Sequence, residues 1–159
     1  MNTKELRTLF HYNPNTGLFT HLVSRGGMKV GSRAGHICKN GRVHIVRLGK
    51  LYLAHRLAWQ YMTGRKPPKR IDHINGVPSD NRWCNLRKCT QSQNLCNARI
   101  RSDNTTGVKG VHKHQGKYRV QIKRKGKVFE GGSYCTIEEA NTAASSLRIK
   151  LHKQFTRHN

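Results

Sequence analysis

The chain has 159 residues, 35% of them hydrophobic, with thirty-one Lys and Arg against seven Asp and Glu, a formal net charge of +24. That length fits one ordinary domain or two small ones. The charge points to a polyanion, nucleic acid before an anionic membrane, because no basic amphipathic helix with a bulky apolar face is legible.

No run approaches the ~18 apolar residues of a transmembrane span. The opening MNTKELRTLF lacks a signal peptide's apolar stretch, so a soluble, cytoplasmic protein is expected, with no membrane role. The cysteines at 38, 84, 89, 96 and 135 are odd in number and form no C-x-x-C pair. They read as reduced packing thiols. Cys84, Cys89 and Cys96 match no common zinc spacing.

In chain order, Asn2 caps a short helix that carries Glu5 in its first turn and ends near His11. Asn13-Pro14-Asn15-Thr16-Gly17 is a turn, and Leu18 to Val23 alternates as a strand. Ser24 to Gly35 is glycine-rich and basic, a mobile loop. A β-meander follows. His36 to Cys38 and Arg42 to Arg47 flank Asn40-Gly41, a hairpin signal, and Gly49-Lys50 turns into Leu51 to Leu53. Ala54 to Thr63 forms a helix that Gly64 stops and Pro67-Pro68 keeps from resuming.

From Arg70 to about Arg99 the pattern is a short strand to His73, a long polar loop, a strand at Leu86 to Cys89 and a helix. Thr90-Gln91-Ser92-Gln93 is a capping box for that helix. Asp72-His73 sets one of the scarce carboxylates beside an imidazole. Asparagines then recur at 75, 81, 85, 94 and 97. Oxygen ligands and a neutral base in a strongly basic chain are the parts needed for metal-assisted phosphodiester cleavage.

Residues 100–107 form a polar, glycine-terminated linker. Strands are then expected at Gly110 to Lys113, Tyr118 to Lys123 and Val128-Phe129. Thr136 to Glu139 makes a second capping box, opening a helix with Ile137, Ala140, Ala143, Ala144, Leu147 and Leu151 on one face. The tail from Lys153 is basic and frayed. The fold class is α+β. An N-terminal β-meander and helix lead into a ββα unit, followed by a small three-stranded antiparallel sheet packed on one helix.

Ala54-His55-Arg56-Leu57-Ala58-Trp59, Ile71-Asp72-His73-Ile74-Asn75-Gly76, Asp80-Asn81-Arg82, Asn85-Leu86-Arg87 and Asn94 closely resemble phage and intron HNH homing endonucleases, over roughly residues 5 to 100. The resemblance implies a nuclease domain over residues 1–99 with a ββα-metal core at about 70–99. His73 is the general base, since an unperturbed imidazole titrates near neutrality. Asp72, on the opposite side of the strand, is a metal ligand, and Asn94 supplies an amide oxygen. Mg²⁺ or Mn²⁺, one ion per active site, suits such hard donors. By resemblance, Asn85 ties the loop backbone and orients the His73 strand. The family often has histidine where this chain has Asn94. Relatives with asparagine there mostly nick DNA.

Residues 108–159 resemble the plant ethylene-response-factor (apetala-type) DNA-binding domain. The likeness rests on Gly107-Val108-Lys109-Gly110-Val111, Gly116-Lys117-Tyr118 and Thr136-Ile137-Glu138-Glu139-Ala140, and it implies a sheet lying in the major groove. Alternation turns Tyr118, Val120 and Ile122 toward the helix and Arg119, Gln121 and Lys123 outward. The outward row suits phosphates and base edges. Lys109, His112, His114, Lys127 and Phe129 are expected on matching positions. Arg56 and Arg87 are further candidate DNA contacts, although Arg56, with His55 at a helix start, equally suits closing the fold.

Two readings compete. One is a monomeric, metal-dependent, phage-encoded homing-type endonuclease, a hydrolase that nicks double-stranded DNA in the host cytoplasm. The other is a non-catalytic DNA-binding protein, a repressor or host-factor blocker, on a degenerate HNH scaffold.

Overall fold

The computed structural model describes residues 1–24, 26–98, 100–152 and 155–156. The expected basic tail from Lys153 lies largely outside the described residues. The chain divides into two compact units, Met1–Cys89 and Thr90–Asn159.

In the first unit, α1 (Thr3–Leu9) starts where Asn2 Oδ1 accepts from the Glu5 amide at 2.8 Å. It stops two residues before the expected end. Phe10 and Tyr12 point inward and His11 outward, a strand's alternation, so Phe10–Asn13 forms β1 and pairs antiparallel with β2 (Leu18–His21). The stretch read as a loop supplies β3 (Arg33–Ala34), which pairs with β2. A second sheet holds β4 (His36–Ile37), β5 (Val43–Arg47) and β6 (Lys50–Leu53). Helix α2 (Ala54–Thr63) follows, closed by Gly64 at φ 69°.

Leu6, Phe10, Phe19, Ile45, Leu57 and Ala58 anchor the core of this unit. Full burial of each large apolar side chain is worth about 1.5–3 kcal/mol. Against that core β7 (Ile71–His73) pairs antiparallel with β8 (Leu86–Lys88), Asp72 facing Arg87 and His73 facing Leu86.

The second unit opens with α3 (Gln91–Cys96). Both halves of the Thr90/Gln93 capping box are present. The division into compact units falls at Cys89/Thr90, and Lys109 Nζ ties α3 into the second unit through the carbonyls of Cys96 (2.7 Å) and Ala98 (2.5 Å). Strands β9 (Val111–His114), β10 (Lys117–Arg124) and β11 (Lys127–Tyr134) form an antiparallel sheet in the order β11-β10-β9. Helix α4 (Ile137–His152) packs on it through Ala140 and Ala144, which meet Val111 and Val120.

The β10–β11 ladder slips between Val120 and Gln121, leaving Gly131 as an extra residue. A Cβ there would come within 2.5 Å of Val120 Cγ1, so only glycine lets the bulge close over the core.

Candidate active site

The first unit positions its chemistry through the loop between β7 and β8. The β1–β2 turn presses directly on that loop. A Cβ on Gly17 would lie 2.4 Å from the Arg82 amide nitrogen and from the Asn81 carbonyl carbon. Tyr12 donates its hydroxyl to the Asn81 carbonyl at 2.7 Å, and the Trp83 amide donates to the Pro14 carbonyl at 2.9 Å. Burial pushes the Tyr12 phenol well above its ordinary range.

Asn81 is 1% exposed. Its Nδ2 donates to the Ser79 carbonyl at 3.3 Å and its Oδ1 lies 3.1 Å from His73 Nε2. With the amide oriented by Ser79, the oxygen faces the imidazole. Nε2 is then the protonated nitrogen, and in the neutral ring Nδ1 carries the basic lone pair. His73 is buried. Burial lowers its pKa below the ordinary histidine value, opposed by the Asn81 bond and by Asp72, so the ring is neutral at pH 7.

Asp72, also buried, faces the other side of β7. Arg87 donates to its Oδ2 from Nε at 2.9 Å and from Nη2 at 2.8 Å. The ion pair is largely enclosed, with side-chain exposures of 16% for Arg87 and 7% for Asp72. Arg87, expected on the DNA surface, is therefore turned inward by its register opposite Asp72.

Asn85 is the hub of the loop. Its Oδ1 accepts from the Asn75 amide at 2.9 Å. Its Nδ2 donates to Asn75 Oδ1 at 2.9 Å and to the Asp80 carbonyl at 2.8 Å, and its own carbonyl accepts from the Ile74 amide at 2.9 Å. Asp80 holds Arg82 in a two-point pair, 2.9 and 2.7 Å, and accepts from Asn75 Nδ2 at 2.7 Å. The Arg82 guanidinium pulls the Asp80 carboxyl down to about 2.

His55, at the start of α2, sets its ring edge-on to His73, centroids 5.2 Å apart at 75°. It is 7% exposed, and its Nδ1 makes no hydrogen bond among the described residues. Burial first, then the neighbouring His73, drives its pKa down to about 3. Next to it, Arg56 donates to the Pro68 carbonyl at 2.9 Å, with longer contacts to Pro67 and Lys69. Its guanidinium ties down the chain after α2.

In the second unit Asn94 is half-buried in the first turn of α3, its amide bonded to the Thr90 carbonyl at 3.0 Å. Asn97, which closes α3, is 5% exposed.

The outward face of the sheet carries His112 opposite Arg119 and His114 opposite Lys117, with Gln121 and Lys123 further along β10. Two expected members are absent from this row. Beyond the Gly131 bulge Phe129 pairs with Ile122 and Lys127 with Arg124, which puts both on the helix side of the pleat. Val128 and Glu130 take their places. Glu130 accepts from Arg119 Nε at 3.2 Å and from Gln121 Nε2 at 2.7 Å. Those bonds, Gln121 first, hold its carboxyl below the ordinary range. Lys109 is also off this row, its ammonium spent on the α3 carbonyls.

Sequence reasoning gave no role to the Asn81–His73 bond or to the edge-on His55 ring. Asn81 was visible as one of the recurring asparagines, but only the folded loop turns its oxygen to the ring. The described residues contain no helix long and apolar enough to cross a membrane.

No curated protein and no solved structure matches the chain. Residues 52–96, less than a third of the chain, match the family model of HNH endonucleases. The matched stretch contains α2, β7, β8 and α3, and with them His55, Asp72, His73, Asn81, Asn85 and Asn94. It supports an HNH nuclease domain here, acting on DNA.

Proposed function

We propose that the chain is a divalent-metal-dependent HNH endonuclease of the homing type, phage-encoded, that nicks double-stranded DNA as a monomer in the host cytoplasm. In this reading the β9–β11 sheet is an apetala-type module that seats the nuclease on its target. The observation that carries the proposal is the His73 imidazole. It lies inside the segment matched to HNH endonucleases, is kept neutral by burial, and its Nε2 is held by Asn81.

A neutral ring with its proton on Nε2 offers Nδ1 as general base toward a water molecule. The base takes the proton as the water oxygen attacks phosphorus, and the 3′ oxygen leaves. Asn85 and the Asp80–Arg82 pair hold the loop, so the ring waits in place rather than being ordered at each turnover. Asp72 and Asn94 are the residues assigned to the metal. A carboxylate and an amide oxygen form an all-oxygen donor set, which fits Mg²⁺ or Mn²⁺. When bound, the ion supplies a Lewis acid for the charge on the phosphate and the leaving oxygen.

The Arg87–Asp72 pair also favours a second reading, in which the guanidinium replaces the ion and the scaffold only binds DNA. Incubation of supercoiled plasmid with Mg²⁺, Mn²⁺ or EDTA separates the two. Nicked product that disappears in EDTA and in His73→Ala, with retardation retained in the variant, is the expected result. A single positioned base is worth about 10²–10⁴-fold in rate. Plasmid retarded but intact under every condition selects the binder.

A further inference from the structure

We infer that His36, Cys38 and His44 form a zinc site on the β4–β5 hairpin, separate from the nuclease centre and outside the segment matched to HNH endonucleases. The backbone makes the cluster. His36 and Cys38 are two residues apart on an extended segment and so face the same way. His36 is the direct cross-strand partner of His44, which brings the second imidazole to the same face. The turn is tight. Cys38 accepts from the Gly41 amide at 2.7 Å and donates its own amide to the Arg42 carbonyl at 2.9 Å. Gly35, at φ +91°, lets the strand lie close on β5, since a Cβ there would be 2.7 Å from the His44 carbonyl.

The three donor atoms lie within 4.8 Å of one another. Both imidazoles aim a nitrogen at one sulfur: His44 Nδ1 at 2.9 Å and His36 Nε2 at 3.5 Å. Around a tetrahedral zinc, with bonds of about 2.3 Å to sulfur and about 2.0 Å to nitrogen, ligand atoms sit roughly 3.3–3.7 Å apart. The His36 contact is already at that spacing. The His44 contact has to open by about half an ångström on this basis, and the half-exposed hairpin leaves room for it. One thiolate and two imidazoles form a borderline-soft set that prefers Zn²⁺ to the hard ions suited to Asp72 and Asn94. Three protein ligands leave a fourth position for water. The simpler alternative is a thiol hydrogen-bonded to two rings, with no ion.

The hairpin leads to the nuclease centre. His44 is the cross-strand partner of Leu53, the residue before α2, and His44 is among the neighbours that lower the His55 pKa. The ion would clamp the strand that backs the His55–His73 pair.

The test uses the full chain, stripped with a chelator and titrated with Co²⁺ and then Zn²⁺. One equivalent of Co²⁺ is expected to give a thiolate-to-cobalt charge-transfer band that Zn²⁺ abolishes. Cys38→Ser removes the band and weakens Zn²⁺ binding by at least the roughly 10–100-fold that losing even an outer-shell partner of a metal costs. Cys84→Ser and Asp72→Asn keep the band, the second showing that the ion is not that of the nuclease centre. A second measurement needs no variant. Stoichiometric Zn²⁺ is expected to slow alkylation of Cys38, read by peptide mass mapping, while the exposed Cys84 and Cys135 react at unchanged rates. No thiolate band in the wild-type chain, a band surviving in Cys38→Ser, or equal alkylation of Cys38 with and without zinc would each overturn the assignment.

Discussion

Asn81 Oδ1 and His73 Nε2 meet at 3.1 Å inside the first unit, both side chains buried. The bond is set from behind by the Tyr12 hydroxyl and the Gly17 turn, which fix the Asn81 backbone, and by Ser79, which fixes its amide. In the proposed reading Asn81 acts through His73, selecting the tautomer in which Nδ1 is basic. Asn81→Ala is expected to lower kcat about 10–100-fold, the usual cost of losing such an orienting partner, while plasmid retardation is unchanged. Asn81→Asp separates tautomer control from mere packing. The new carboxylate still accepts from Nε2 but stabilises the imidazolium, so the acid limb of the pH–rate profile moves to higher pH. A loss of rate with the limb unmoved would reduce Asn81 to a structural role.

The His55 ring gives stability a pH dependence with a definite sign. Its folded pKa is about 3, against an ordinary 6.5. Between those values the unfolded chain binds a proton that the folded chain refuses, so stability is greatest above about 6.5 and falls as the pH drops toward 3. A single group contributes a slope of about 1.4 kcal/mol per pH unit within that window. His73, also lowered, adds in the same direction just below its ordinary value. Asp80, held down to about 2 by Arg82, loses its contribution only as the pH falls below its ordinary value of 3.8, so it adds at the acid end of this range and not between pH 7.5 and 5. Trp59 and Trp83 lie with ring centroids 5.2 Å apart, tilted at 58°, and are the chain's two tryptophans, so indole fluorescence reports on the first unit. Urea midpoints are expected to fall from about pH 7.5 to about pH 5 in the wild-type chain, and less steeply in His55→Gln. Equal midpoints at the two pH values would show that His55 protonates without opening the fold.

What could be read from the letters was local. Asn40-Gly41 marked a hairpin, Thr90 and Thr136 marked capped helix starts, and Asp72-His73 announced a strand with two chemical faces. What could not be read depended on register. Arg87 meets Asp72 only once β7 and β8 pair. His36, Cys38 and His44 converge only through the β4–β5 alignment. Lys127 and Phe129 change faces because Gly131 is squeezed out of the ladder by Val120. Phe10 to Asn13 had a strand's alternation, but it was too short to separate from the helix before it without its partner Leu18 to His21.

Glu130 sits on the outward face of the second unit between the two side chains best suited to read bases. A carboxylate there repels the DNA backbone, yet it holds the Arg119 guanidinium and the Gln121 amide in fixed directions. Such pre-orientation favours discrimination over raw affinity. Removing it exchanges one for the other. Glu130→Gln is expected to tighten binding to unrelated duplexes and to steepen the log–log salt dependence by about one phosphate's worth, a slope change of roughly −0.9, while narrowing the margin between target and non-target DNA. Arg119→Ala is expected to weaken binding by ~1–3 kcal/mol on the target and much less elsewhere. Fluorescence anisotropy over a salt series on matched and scrambled duplexes measures both. An equal loss on all duplexes for Arg119→Ala would make that guanidinium a phosphate contact. An unchanged salt slope for Glu130→Gln would move the DNA off this face of the sheet.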